Sequence, residues 1–197
     1  MIYSLWPTNI YSEYISIDPW LPAVQQLLPE DSQLRSWADI RPWASSDLLH
    51  ETPEFTDLAE LILKHSEVYA HSQGLLWESL TINSMWVNAG YQHQNHSQHI
   101  HPNSWISGVV YLQVPEGSSS LIFTDPRPAA VVQRSSLHDQ GIQGFQPRTG
   151  DIFLWPSWLY HGTHSHTVEE LAEPRISLAF NIGLHRDIQD HSARCRL

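Results

Sequence analysis

The chain has almost no lysine. Lys64 is the only one, and with nine arginines it faces 21 acidic residues, for a formal charge of −11. Such a balance works against binding a phosphate backbone or an anionic lipid surface, because both depend on basic side chains. One cysteine, Cys195, cannot form an internal disulfide and fits a reducing, cytoplasmic setting. Nine glycines and this one cysteine exclude collagen-like and disulfide-scaffold classes. No apolar run approaches the ~20 residues of a membrane helix. Residues Met1 to Ile10 lack the basic and long apolar regions of a secretory signal. No internal repeat or low-complexity tract is visible.

What is abundant is histidine, with 13, and tryptophan, with nine, in a chain of 197 residues. The length and the 41% hydrophobic content suit a single domain with a sizeable core. Tryptophan fits a β-rich core or an aromatic-lined pocket. The order of elements predicts a strand and short helices over the first ~44 residues, with Asp18-Pro19 opening one helix and Asp31 to Ile40 forming another. A longer helix is expected from Pro53 to Ser72, capped by Thr52 and stopped at Gly74. Leu58, Leu61, Ile62, His65 and Val68 or Tyr69 form its apolar face.

Beyond Gly74 the pattern becomes that of short strands: Leu80–Asn88, Ser107–Val114, Ser120–Thr124, Ala130–Gln133, Asp151–Trp155 and Ile176–Ile182, separated by turn residues. This spacing predicts an antiparallel sandwich or small barrel. The expected organisation is an N-terminal strand and helical support over 1–79, a barrel core over 80–182 and a C-terminal tail over 183–197.

His99 and His101 are two apart, so in extended chain they leave the same face and can grip one metal ion. His93 and His96 read as members of a surface loop. The segment GDIFLWPSWLYH carries a turn, an apolar strand, a bend and then His161, which can sit opposite that pair at a barrel mouth. Arg175 and Ser177 share one face of an otherwise apolar strand. An inward guanidinium there needs an anion, supplied either by a protein carboxylate or by a ligand. Trp105, Trp155 and Trp158 are candidates for an aromatic pocket rim as well as for core packing.

The succession HxH, SGVVYL, GDIFLWPSWLYH and RIS with LAFN resembles the 2-oxoglutarate/Fe(II)-dependent oxygenases of the double-stranded β-helix fold. It is most similar to a bacterial and phage branch with an HxHPNSxxSGVYYL-like signature. The resemblance spans roughly Leu80 to Ile182 and extends weakly to LWPTNIY and to His50–Phe55. It implies a cupin-like jelly-roll barrel with N-terminal helices packed against it. It further implies Fe(II), with 2-oxoglutarate as co-substrate and dioxygen as oxidant. The implied reaction hydroxylates an unidentified small molecule or peptide and releases succinate and carbon dioxide.

Carried onto this sequence, the metal ligands are His99, His101 and His161. Arg175 binds the remote carboxylate of 2-oxoglutarate with Ser177 and Tyr111, and Asn88 and Trp86 are further pocket candidates. The carboxylate that usually serves as the third ligand is missing, because His101 stands in its place. Asn103, Asp125 or a water remain alternatives to His101. A three-histidine cupin (a cofactor-independent dioxygenase or isomerase) and a non-catalytic metal- or ligand-binding barrel are the competing functions.

Overall fold

The computed structural model describes residues 7–37, 39, 41–91, 95–128, 141–164 and 171–186. His93, the Ala130–Gln133 segment, the start of LWPTNIY and the tail from 187, with Cys195, lie outside them.

Among the described residues, nine strands form two antiparallel sheets. They are β1 (Tyr11–Tyr14), β2 (Trp43–Ala44), β3 (Ser79–Gly90), β4 (Ile106–Gln113), β5 (Leu121–Thr124), β6 (Ile142–Phe145), β7 (Asp151–Pro156), β8 (His161–Thr163) and β9 (Arg175–His185). The larger sheet runs β1-β7-β4-β9-β3-β2 and the smaller β6-β5-β8. Non-consecutive strands lie side by side, as in a double-stranded β-helix.

The sheet alternation assigns the two cores. On β3, Met85, Val87 and Ala89 point one way, with Ile106, Val110 and Leu112 of β4 and Leu178, Phe180 and Ile182 of β9. They pack against three helices, α1 (Leu21–Leu27), α2 (Asp31–Arg35) and α3 (Thr56–Ser72). The helices supply Val24, Leu34, Leu58, Ile62 and Tyr69. The opposite face of the large sheet looks toward the small one. There Val109, Tyr111, Phe153 and Trp155 meet Leu121 and Phe123. Helices therefore close one side of the large sheet, and the small sheet covers the other.

Several local expectations are corrected. The Thr52 hydroxyl makes no capping bond to the long helix and donates instead to Leu49 O at 2.8 Å. That bond closes the preceding 3-10 turn at Leu49–Glu51. A second 3-10 turn, Pro53–Phe55, intervenes before α3 begins at Thr56. The helix from Asp31 ends at Arg35, where the Ser36 N–H and hydroxyl both donate back to Ser32 O, at 3.1 and 2.8 Å. On α3, Tyr69 is buried whereas Val68 is 57% exposed. The last strand continues past Ile182 to His185, and β2, β6 and β8 lie outside the expected strands. The three-residue β8 is too short to show a period.

Candidate metal centre and its cavity

Residues 96–101 run beside β8. His99 and His161 form an isolated antiparallel bridge, with His99 N donating to His161 O at 2.9 Å and His161 N donating to His99 O at 3.1 Å. His101 N donates to Ser157 O at 3.0 Å. This extended stretch is held by β8 and the turn after β7 rather than by a regular strand of its own. The close approach depends on Gly162, where an added Cβ would sit 2.4 Å from His96 O. Gly162→Ala should therefore cost about 1–3 kcal/mol through overpacking and push the histidine segment outward. Thermal melts and metal titration of the variant check this, with both readings expected to fall.

His99, His101 and His161 converge, one nitrogen from each lying within 4.8 Å of the others. His101 Nε2 is 3.2 Å from His161 Nε2. His161 Nδ1 faces Leu159 O at 2.9 Å and His99 Nδ1 faces Ser97 O at 2.7 Å. A carbonyl oxygen only accepts, so both Nδ1 atoms carry the proton and both Nε2 atoms keep a lone pair. Two Nε2 lone pairs thus point into the group, and imidazole nitrogens suit Fe(II).

Burial disfavours the charged form of His101 and His161. It pulls the His101 imidazole down to about 4, with the neighbouring His99 charge adding to it. It pulls His161 down to about 3, against the partly compensating Leu159 carbonyl. His96 falls to about 4 through burial first and then the Arg175 charge. His65, half-buried beside Tyr11, moves in the same direction. Below the ordinary histidine value of about 6.5 the unfolded chain binds protons that the fold refuses. Stability is thus greatest above that value and declines as the pH falls toward 4. Melts in the presence of chelator should show a falling midpoint between pH 6.5 and 5, where ordinary carboxylates do not titrate. A flat profile there would contradict the burial argument.

The same cavity is lined by Arg175, Ser177 and Tyr111, by Trp86 of β3 and by an apolar wall that includes Val109, Leu121, Trp155 and Ala179. Arg175 is 8% exposed. Its guanidinium lies 5.0 Å from the centroid of the Tyr111 ring, and Nη2 reaches the Tyr111 hydroxyl at a long 3.4 Å. Its Nε has no hydrogen-bond partner, and among the described residues no carboxylate pairs with it. Burial raises the Tyr111 phenol above its ordinary value, so it stays a neutral donor. The Trp155 indole N–H is likewise buried without a partner. Unpaired donors beside a buried cation make a receptor for an anion.

Other expected residues separate from this group. Asn88 is buried and pairs with Ser177 in register, but its oxygen accepts from the Trp86 indole at 3.2 Å and it does not line the cavity. Asp125 pairs with Arg127 at 2.9 Å and borders a different cavity. Asn103 sits at φ 66, its carbonyl accepting from Asn83, and is not part of the converging group. Of the three tryptophans, Trp155 lines the cavity, with its ring 4.7 Å from His161, while Trp105 and Trp158 are more than half exposed.

His96 is a correction. It sits in a loop as expected, but half-buried rather than on the surface: its ring lines the cavity 6.3 Å from that of His99. Its backbone is tied to Thr163, which follows His161 by two positions. At three residues from His99 it falls on neither shared face of an extended chain, so spacing gave no signal for it.

Residues 84–181 match the family model described as "Putative 2OG-Fe(II) oxygenase". The matched segment spans β3 to β9 and contains all three histidines, Tyr111 and Arg175. Residues 84–181 belong to the 2OG-Fe(II) oxygenases. No curated protein matches the chain. Solved structures share the fold. AviO1 from Streptomyces viridochromogenes Tue57 is 14% identical, with a TM-score of 0.63 over 89% of this chain and 90% of that one. A Pseudomonas putida prolyl-4-hydroxylase is 11% identical, with a TM-score of 0.60 over 91% and 94%. HygX from Streptomyces hygroscopicus, solved with nickel, 2-oxoglutarate and hygromycin B, is 15% identical, with a TM-score of 0.58 over 90% and 83%. The 2OG-Fe(II) oxygenase core is thus a double-stranded β-helix, and the cofactors of its family are Fe(II) and 2-oxoglutarate. No described helix of this oxygenase is long and apolar enough to cross a membrane.

Proposed function

We propose that this oxygenase hydroxylates a small molecule or a peptide side chain, with His99, His101 and His161 holding Fe(II) and Arg175 holding 2-oxoglutarate. The observation that carries this reading is a buried guanidinium with an unpartnered Nε in the same cavity as three converging imidazoles. When bound, Fe(II) and 2-oxoglutarate supply a two-electron oxidation in which one oxygen atom of dioxygen enters a substrate C–H bond and the other enters succinate as carbon dioxide leaves.

The protein's own part is binding and exclusion. Arg175 presents its fork to the remote carboxylate, and the Tyr111 and Ser177 hydroxyls add neutral donors beside it. Val109, Leu121, Trp155 and Ala179 keep bulk water from the co-substrate chain. His96 borders the same space as a neutral imidazole and is a further contact for co-substrate or substrate. Asn88 contributes indirectly, by fixing the Trp86 indole on the cavity wall. The set bears no carboxylate, so the centre holds its metal with one negative charge fewer than a two-histidine, one-carboxylate site. A three-histidine cupin lacking an anionic co-substrate would gain nothing from burying Arg175 without a counter-ion.

Residues 80–182 serve as the catalytic barrel and 1–79 as its support, in one functional unit. The acidic composition supports a substrate other than nucleic acid, and the lone Cys195 supports a reducing cytoplasmic compartment. Anaerobic addition of Fe(II) and 2-oxoglutarate should give a weak visible charge-transfer band. Admission of air with substrate candidates should then release succinate. Absence of both the band and succinate would remove the oxygenase reading for this chain.

A further inference from the structure

His101 differs from its two companions in what faces its second ring nitrogen. Backbone carbonyls face Nδ1 of His99 and His161 and fix the proton there. Nδ1 of His101 instead meets a side chain, the carboxamide of Asn181 on β9, with Nδ2 at 3.4 Å. Asn181 is 6% exposed and bound at both ends. Its Nδ2 donates to Ser84 Oγ at 3.0 Å, and its Oδ1 accepts from Ser107 Oγ at 2.7 Å. Ser107 Oγ lies 2.8 Å from Ser157 Oγ, and both serines are 1% exposed.

The direction of this network decides whether His101 can ligate. An amide N–H aimed at Nδ1 leaves the imidazole proton on Nε2, where it points at His161 Nε2 and occupies the lone pair a metal needs. A carboxamide oxygen aimed at Nδ1 accepts its proton and frees Nε2. The two ends of a carboxamide have nearly the same shape, and hydrogen-bond partners select between them. The partners here accept either. With the oxygen toward His101, Ser84 donates to it, the amide donates to Ser107, and Ser107 passes its own proton to Ser157. Every hydroxyl remains satisfied after the half-turn.

We propose that Asn181 is a positioning residue of the metal centre: by turning its carboxamide within the Ser84, Ser107 and Ser157 cradle, it holds His101 in the ligating tautomer. The inference rests on the metal-centre reading and adds to it a residue outside the three ligands. Partners that orient a metal-bound histidine typically contribute 10–100-fold to affinity.

The test compares Asn181→Ala and Asn181→Asp with wild type by calorimetric titration of Ni(II), alongside thermal melts in chelator. Alanine should lower Ni(II) affinity by about 10–100-fold. Aspartate offers an oxygen to His101 in either orientation, so it should bind at least as tightly as wild type even though a buried charge lowers its chelated melting point. A merely structural role would make affinity follow stability in both variants. Alanine binding like wild type, or aspartate losing as much as alanine, overturns the assignment while leaving the centre itself intact. If wild type binds no Ni(II), the metal-centre reading falls first and takes this one with it.

Discussion

Replacing His161 by glutamine should abolish Fe(II)-dependent release of succinate and lower Ni(II) affinity by more than 100-fold, beyond the ~10–100-fold that outer partners of a ligand contribute. His161 is 4% exposed, against the half-buried His99 and His101. Its ring packs on Trp155 at 4.7 Å and its Nδ1 is anchored to Leu159 O at 2.9 Å. Its Nε2 is therefore the most rigidly aimed of the three. Glutamine retains much of the volume and limits the cavity penalty that alanine would bring. Its amide is a weaker ligand and cannot reproduce the imidazole's reach. The chelated melting point separates a local from a global effect: it should stay near wild type while binding collapses. Adding His99→Gln on top should cost little further turnover, because groups that act as one unit are not additive. Retained succinate release in His161→Gln would remove the residue from the metal centre.

The parts of this arrangement that were legible in the sequence are those in which one short period decides orientation. His99 and His101 leave the same side of an extended chain, and Arg175 and Ser177 do the same on β9. Leu58, Ile62 and Tyr69 declare the buried face of α3 through helical spacing. What stayed hidden depends on contacts between distant segments. His96 enters the cavity because Gly162 lets the chain lie directly on β8, and neither residue announces the other. Asn181 is one polar residue in an apolar run, and only the fold sets it between Ser107 and His101, which come from two other segments. Thr52 has the right identity for a helix cap, yet the preceding turn claims its hydroxyl. In each case local propensity was overridden by a partner that the chain places nearby only after folding.

Arg175→Ala should raise the dissociation constant of 2-oxoglutarate at least tenfold while leaving Ni(II) affinity close to wild type. The argument begins with cost. A guanidinium that is 8% exposed, with an unpartnered Nε and only a long contact to the Tyr111 hydroxyl, is an expensive group to bury. A dicarboxylate that places one carboxylate on this fork and its other end at the imidazoles relieves that cost on binding. Charge-assisted hydrogen bonds contribute ~1.5–3 kcal/mol each, and about 1.4 kcal/mol is a factor of ten, so losing even one meets the expected threshold. Arg175→Lys should recover only part of the affinity, because an ammonium offers a point charge where the fork makes two parallel bonds. Alanine removes a buried unpaired charge, so the variant should be no less stable without ligand, which keeps the measurement interpretable. Metal affinity provides the internal control, since Arg175 is not one of the converging ligands. Titration of 2-oxoglutarate into anaerobic, metal-loaded protein reads the result. Equal affinity in wild type and Arg175→Ala would mean that the anion sits elsewhere, and would shift weight toward a three-histidine barrel that does not use this co-substrate.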